Sequence, residues 1–205
     1  MSLLSSKLYQ SACALLLCAG ILATPAQGAV LYTTLSAPSV SVGEQFTIDL
    51  MVSGLEAGQA VGGFDLDLLF HSGRLTVDEV LFGAALGTVD VDQFTSALLS
   101  PGRADLAAVS LLDEAALLGL QSGSFRLAQL VVTAIGPGAV PISFDALAAP
   151  GLLLSDQFGV AIAVTGSLGS TVEVRPSADV PEPATALLLL PGLWLAVRRR
   201  GAVRA

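Results

Sequence analysis

Few side chains in this 205-residue chain are equipped for chemistry, and they fall into four groups. Asp65 and Asp67 alternate with apolar neighbours in the run Gly63-Phe64-Asp65-Leu66-Asp67-Leu68. On an extended strand, residues two apart share a face and lie about 7 Å apart. Glycosidase carboxylates can work at that separation. The same alternation arises when a half-buried strand turns its polar face to water, where both carboxyls stay ionised, whereas a general acid needs burial or a close like charge. His71 is the sole histidine and falls in the turn signal His71-Ser72-Gly73, without the nucleophile or second ligand that a triad or a zinc site requires. Asp90 and Asp92 lie between Gly83 and Gly102, which reads as a long loop with one weak strand. A loop can wrap oxygens around calcium, although neither aspartate belongs to an EF-hand pattern. The fourth group is Pro181, Glu182 and Pro183, followed by Arg198, Arg199 and Arg200. The chain has no Gly-x-Ser-x-Gly, no His-Glu-x-x-His and no cysteine pair outside its first 28 residues. No catalytic residue is assigned, and no cofactor is expected, with calcium the one candidate.

The C-terminal group is ordered as a polar triplet, an apolar run from Ala184 to Val197 and a basic stop. That run is about 14 residues, whereas a comfortable bilayer span needs roughly 20. Such a segment holds a chain in the membrane transiently, with the arginines on the cytoplasmic side and the bulk of the chain outside. The two prolines keep the triplet extended and accessible. Residues 179–205 resemble the PEP-CTERM sorting signal of Gram-negative bacteria, and the match includes all three parts. The resemblance implies recognition of Pro181-Glu182-Pro183 by an exosortase-type enzyme and delivery to the cell surface or an exopolysaccharide-rich matrix. It is silent on the activity of the cargo.

The N-terminal end agrees with export. Lys7 gives a small positive region, Ala12 to Ala23 is a short apolar stretch, and Ala26-Gln27-Gly28 offers small residues for cleavage. Residues 1–28 therefore read as a secretory signal peptide. Cys13 and Cys18 both lie within it, so the mature chain is expected to be held without disulfides.

Residues 29–178 form one domain of ordinary size. They hold fifteen acids and four bases, a net charge of −11. That charge disfavours nucleic acid and anionic polymers. It suits a basic or neutral extracellular partner, either a protein or a polysaccharide.

The elements that must position these residues are strands. Phe46, Ile48, Leu50 and Val52 alternate with polar positions, as do Phe64, Leu66, Leu68 and Phe70. Further strands are expected at Leu106–Leu112, Phe125–Ile135, Val140–Phe144, Val160–Val164 and Ser167–Val174. Turn signals such as Ser53-Gly54 and Gly136-Pro137-Gly138 separate them. Asp113 to Leu120 reads either as one short helix or as a connecting loop. The pattern is all-β, a sandwich. Its expected core includes Phe46, Ile48, Leu50, Phe64, Leu66, Leu68, Phe70, Leu130 and Val132. Tyr32 and Trp194 aside, nearly all aromatics are phenylalanines at inward positions, so no flat platform for sugar stacking is expected.

The runs VSVGEQFTIDLMVSGL, VGGFDLDLLFHSGRLTVDEVLFG and SGSFRLAQLVVTAIGPGAVPISF resemble a cohesin domain over roughly Ala37 to Val174. The resemblance implies a jelly-roll sandwich related in fold to carbohydrate-binding modules, whose cellulosomal members bind dockerins. It departs at His71-Ser72, where an Asp-Pro turn is frequent. The expectation is a secreted, non-catalytic binding domain. The alternative is a polysaccharide-active hydrolase using Asp65 or Asp67.

Overall fold

A computed structural model describes residues 28–147 and 151–177. The expected signal peptide before Gly28, the Pro-Glu-Pro triplet and the arginine cluster lie outside the described residues. Among those described, no helix is long and apolar enough to cross a membrane.

The alternating segments form strands that stack as two sheets. The first sheet contains β1 (Ala29–Leu35), β3 (Gln45–Ser53), β5 (Leu75–Phe82), β8 (Ser124–Ala134) and β12 (Val164–Leu168), in the order β12-β1-β3-β8-β5. The second has eight strands. It contains β2 (Ser39–Ser41), β4 (Gly63–Leu69), β6 (Gln93–Ser100), β7 (Arg103–Ser110), β9 (Gly138–Phe144), β10 (Leu153–Ser155), β11 (Ala161–Ile162) and β13 (Ser170–Arg175). Strand β4 is its hub, pairing with β7 along one edge and with β10 and then β9 along the other.

The inward residues of both sheets meet in one core. Phe46, Ile48, Leu50 and Val52 of β3 face Phe64, Leu66 and Leu68 of β4, and Leu130 and Val132 of β8 join them. These positions agree with the sequence expectation. Phe70 is a correction, because it lies past the end of β4 and is only half-buried against the core. A bulge opposite Leu50 and Met51 lets both Leu127 and Ala128 of β8 point inward.

Two long chain segments hold the sandwich shut. β1 continues into β2, and β12 continues into β13, each crossing from one sheet to the other. β1 pairs with β12, and β2 with β13, both in parallel. The second crossing occurs at Gly169, where an added Cβ would sit 2.1 Å from the Ile142 carbonyl oxygen. Thr33 and Ser170 hydroxyls bond across the crossing at 2.7 Å.

The ambiguous stretch after Asp113 is a helix, α1 (Glu114–Leu120). The Asp113 side chain accepts from the Ala116 amide at 2.9 Å, an N-cap that starts the helix where the chain turns polar. Leu117 is its buried residue, and the Gln121 amide ties its end to the Val61 backbone. The stretch from Gly83 to Gly102 is more ordered than expected. It contains a 3₁₀ turn (Ala84–Leu86) and all eight residues of β6.

Candidate binding face

The outer face of the second sheet is set by the registers of β6, β7, β4 and β10, which place residues in rows. Phe94, Val109, Gly63 and Ser155 form one row. Ser96, Ala107, Asp65 and Leu153 form the next, then Leu98, Asp105 and Asp67, and then Ser100, Arg103 and Leu69. An apolar end thus grades into an acidic centre.

The apolar side chains of this face are open to solvent. Phe94 is 63% exposed and Leu98 67%, and Val109 and Leu153 are also exposed. Phe158 in the β10–β11 turn is exposed as well. These two phenylalanines are exceptions to the expectation that nearly all of them face inward. β6 is hard to read from sequence as a binding element, because each of its faces mixes apolar with uncharged polar residues and shows no period-two contrast.

The structure separates the two carboxylates that the sequence pairs. Asp67 is only 2% exposed, which corrects the expectation of a solvated side chain on the polar face. Arg103 explains the burial. Its Nε and Nη2 donate to the two Asp67 carboxylate oxygens at 2.8 and 2.6 Å, a bidentate pair that covers the acid. Arg103 Nη1 also stands 3.7 Å from Asp145. The hydrogen bond to Asp67 holds the guanidinium more firmly protonated than usual. Nothing local in the sequence ties Arg103 to Asp67, 36 residues away, and only the β4–β7 register brings them together.

Asp65 is half-buried, and neither it nor Asp105 has a hydrogen-bond or ion-pair partner among the described residues. Partial burial, then repulsion from Asp105 and Asp67, raises the Asp65 pKa above the ordinary aspartate value. The centre of the face therefore presents two carboxylates without a cation beside a third that already has one.

Asp90 and Asp92 belong to a tight turn before β6. Asp90 takes a left-handed φ of 63°, and its amide donates to the Gln93 carbonyl. The Asp92 amide donates to the Thr88 carbonyl at 2.8 Å. Among the described residues, no three His, Cys, Asp or Glu side chains come together as a metal site. His71 accepts from the Gly73 amide through Nδ1 at 3.0 Å, so it stabilises its own turn. The groove between β5 and β6 has a volume of about 320 Å³. Phe70, Leu75, Val77 and Leu99 are among its lining residues, which include no carboxylate.

With this geometry in hand, solved structures give the decisive likeness. A type II cohesin domain from the cellulosome of Acetivibrio cellulolyticus superposes with a TM-score of 0.59 at 15% identity, covering 71% of this chain and 95% of that one. The chain has the cohesin fold. A non-cellulosomal cohesin from the archaeon Archaeoglobus fulgidus gives a TM-score of 0.53 at 12% identity, covering 74% of this chain and 94% of that one. The cohesin of a type II cohesin–X-dockerin complex from Acetivibrio cellulolyticus gives 0.58 at 12% identity, covering 72% and 99%. At these identities the likeness fixes the cohesin fold alone. No protein-family profile and no curated protein matches the sequence.

Proposed function

We propose that this cohesin-fold domain is a non-catalytic module that binds a protein through the outer face of β6, β7, β4 and β10. The observation that carries the reading is the juxtaposition of exposed Phe94, Leu98, Val109 and Leu153 with the cation-free carboxylates of Asp65 and Asp105. Exposed aromatic and aliphatic anchors supply affinity, and charge sets specificity and on-rate. Solved cohesins of the same fold are found in complexes with dockerins, which supports a protein as the partner class. The hydrolase alternative loses its carboxylate pair, because Asp67 is buried under Arg103.

The terminal segments support the address. We propose export through the N-terminal signal, transient membrane association through residues 184–197 and exosortase processing at Pro181-Glu182-Pro183, delivering the domain to the surface or matrix of a Gram-negative bacterium. Replacing Glu182 and both prolines strands the protein in the membrane. If that variant reaches the surface at the normal mass, the segment is an anchor and no sorting signal.

The binding test is a pull-down from the native surface fraction with the wild-type chain and two variants, Phe94→Ala and Asp65→Lys/Asp105→Lys, beside a glycan array. Truncating an anchor of the Phe94 kind costs about 2 kcal/mol, roughly thirtyfold in affinity. Recovery of the same proteins by all three baits refutes the assignment of this face. Binding confined to the array makes the partner a polysaccharide.

A further inference from the structure

The edges of the two sheets are protected unequally. A strand edge with free amides and carbonyls recruits another strand unless it is short, bulged or charged. β2 and β11 are short, at three and two residues. β5 is bulged at Asp78, and Asp78 and Glu79 are both exposed. β6 has none of these protections. Its sequence Gln93-Phe-Thr-Ser-Ala-Leu-Leu-Ser100 carries no charge and no proline, and it pairs with β7 alone.

The free groups of β6 can be assigned. In an antiparallel pair, the amide and carbonyl of one residue point together, alternately toward and away from the partner. The Gln93 amide donates to the Thr88 carbonyl, and its carbonyl accepts from the Asp90 amide, so Gln93 points away from β7. Asp92 points toward β7, since its carbonyl accepts from the Leu111 amide. By alternation, Thr95, Ala97 and Leu99 turn three amides and three carbonyls outward, and the Thr88–Asp92 turn closes the edge at Gln93.

We propose that two copies of this chain pair antiparallel through these edges, with the twofold axis at Ala97. That register sets Ala97 against Ala97 and Thr95 against Leu99 of the second copy. All six outward groups on each strand are then satisfied in six hydrogen bonds. A twofold interface requires such self-complementarity. The ends fit as well. The closed edge at Asp92 and Gln93 meets the Pro101-Gly102 turn of the second copy, where its strand has already ended. A single small side chain, alanine, lies at the axis. No other edge strand among the described residues combines this length with this lack of charge. The result is one continuous sheet with the two acidic centres side by side, five strand spacings apart or about 24 Å from β4 to β4.

The inference stands independently of the partner reading, and salt separates the two. Each domain carries a charge of −11, so salt screens repulsion and strengthens the dimer, while it weakens a charge-steered partner complex. The test is sedimentation velocity of the full chain across concentration at low and high salt, with Ala97→Lys and Ala97→Pro. The Ala97 amide faces away from β7, so proline there removes no hydrogen bond within the sheet. Both variants are expected to weaken association at least tenfold while the melting temperature holds. Under mild oxidation Ala97→Cys is expected to give a covalent dimer, with peptide mapping placing the disulfide between the position-97 thiols of the two copies. A chain monomeric at every concentration overturns the proposal. So does association unchanged in both variants with no disulfide at position 97.

Discussion

Replacing Leu66 with alanine tests the register on which the binding face depends. Leu66 is fully buried, lies directly across from buried Leu106 and points between the sheets. Its strand is pinned by β7 on one side and by β9 and β10 on the other, so the backbone has little room to close over a void. Leucine-to-alanine changes in cores cost about 2–5 kcal/mol, with the larger values where the site cannot collapse. We expect the upper half, about 3–5 kcal/mol. For a domain of this size that lowers the melting temperature by roughly 10 °C, measured by circular dichroism. Leu98→Ala is the matched control. The side chain is the same, but it is 67% exposed on the outer face, and its loss stays within about 0.5 kcal/mol. Equal shifts for the two variants, or none for Leu66→Ala, would place β4 in the opposite register and remove Asp65 from the face.

The remaining predictions concern charge and crossing. The Asp65 pKa is raised in the fold, so the folded state holds this proton over a pH window where the unfolded chain has lost it, and stability falls as pH rises through that window. Asp65→Asn is therefore expected to melt higher than wild type at neutral pH, with the gain vanishing below the ordinary aspartate pKa; a gain that grows in acid refutes the assignment. Gly169→Ala must displace the Ile142 carbonyl and is expected to lower the melting temperature markedly, whereas Gly119→Ala, with open space at its Cβ, does not. Equal behaviour of the two variants would contradict the crossing geometry.

The strands legible in the sequence are those with one wet face. β3 and β4 alternate cleanly, and β8 is legible despite its bulge because its apolar content is high. β5 loses its period at the Asp78 bulge, and β6 offers no contrast because both its faces mix apolar with uncharged polar residues. The alternation puts Asp65 and Asp67 on one face, and the register agrees. Their different fates are not readable from it, because burial of Asp67 depends on an arginine delivered by a neighbouring strand. The apolar half of the face is illegible for the opposite reason. Phe94 and Leu98 are residue types assigned to cores, and only the sheet edge reveals that nothing covers them.

The paired crossings of β1–β2 and β12–β13 fix how the domain bears load. The segments run side by side in the same direction from the level of Ala29 to the level of Arg175. The chain therefore enters at one pole and leaves at the other, roughly 35–40 Å away at about 3.3 Å per residue. A pull between the two exits acts along the strands, so the ladder bonds of the terminal segments are strained together in shear. Peeling would break them one at a time. A domain tethered at one pole and tugged at the other thus resists through both parallel ladders at once.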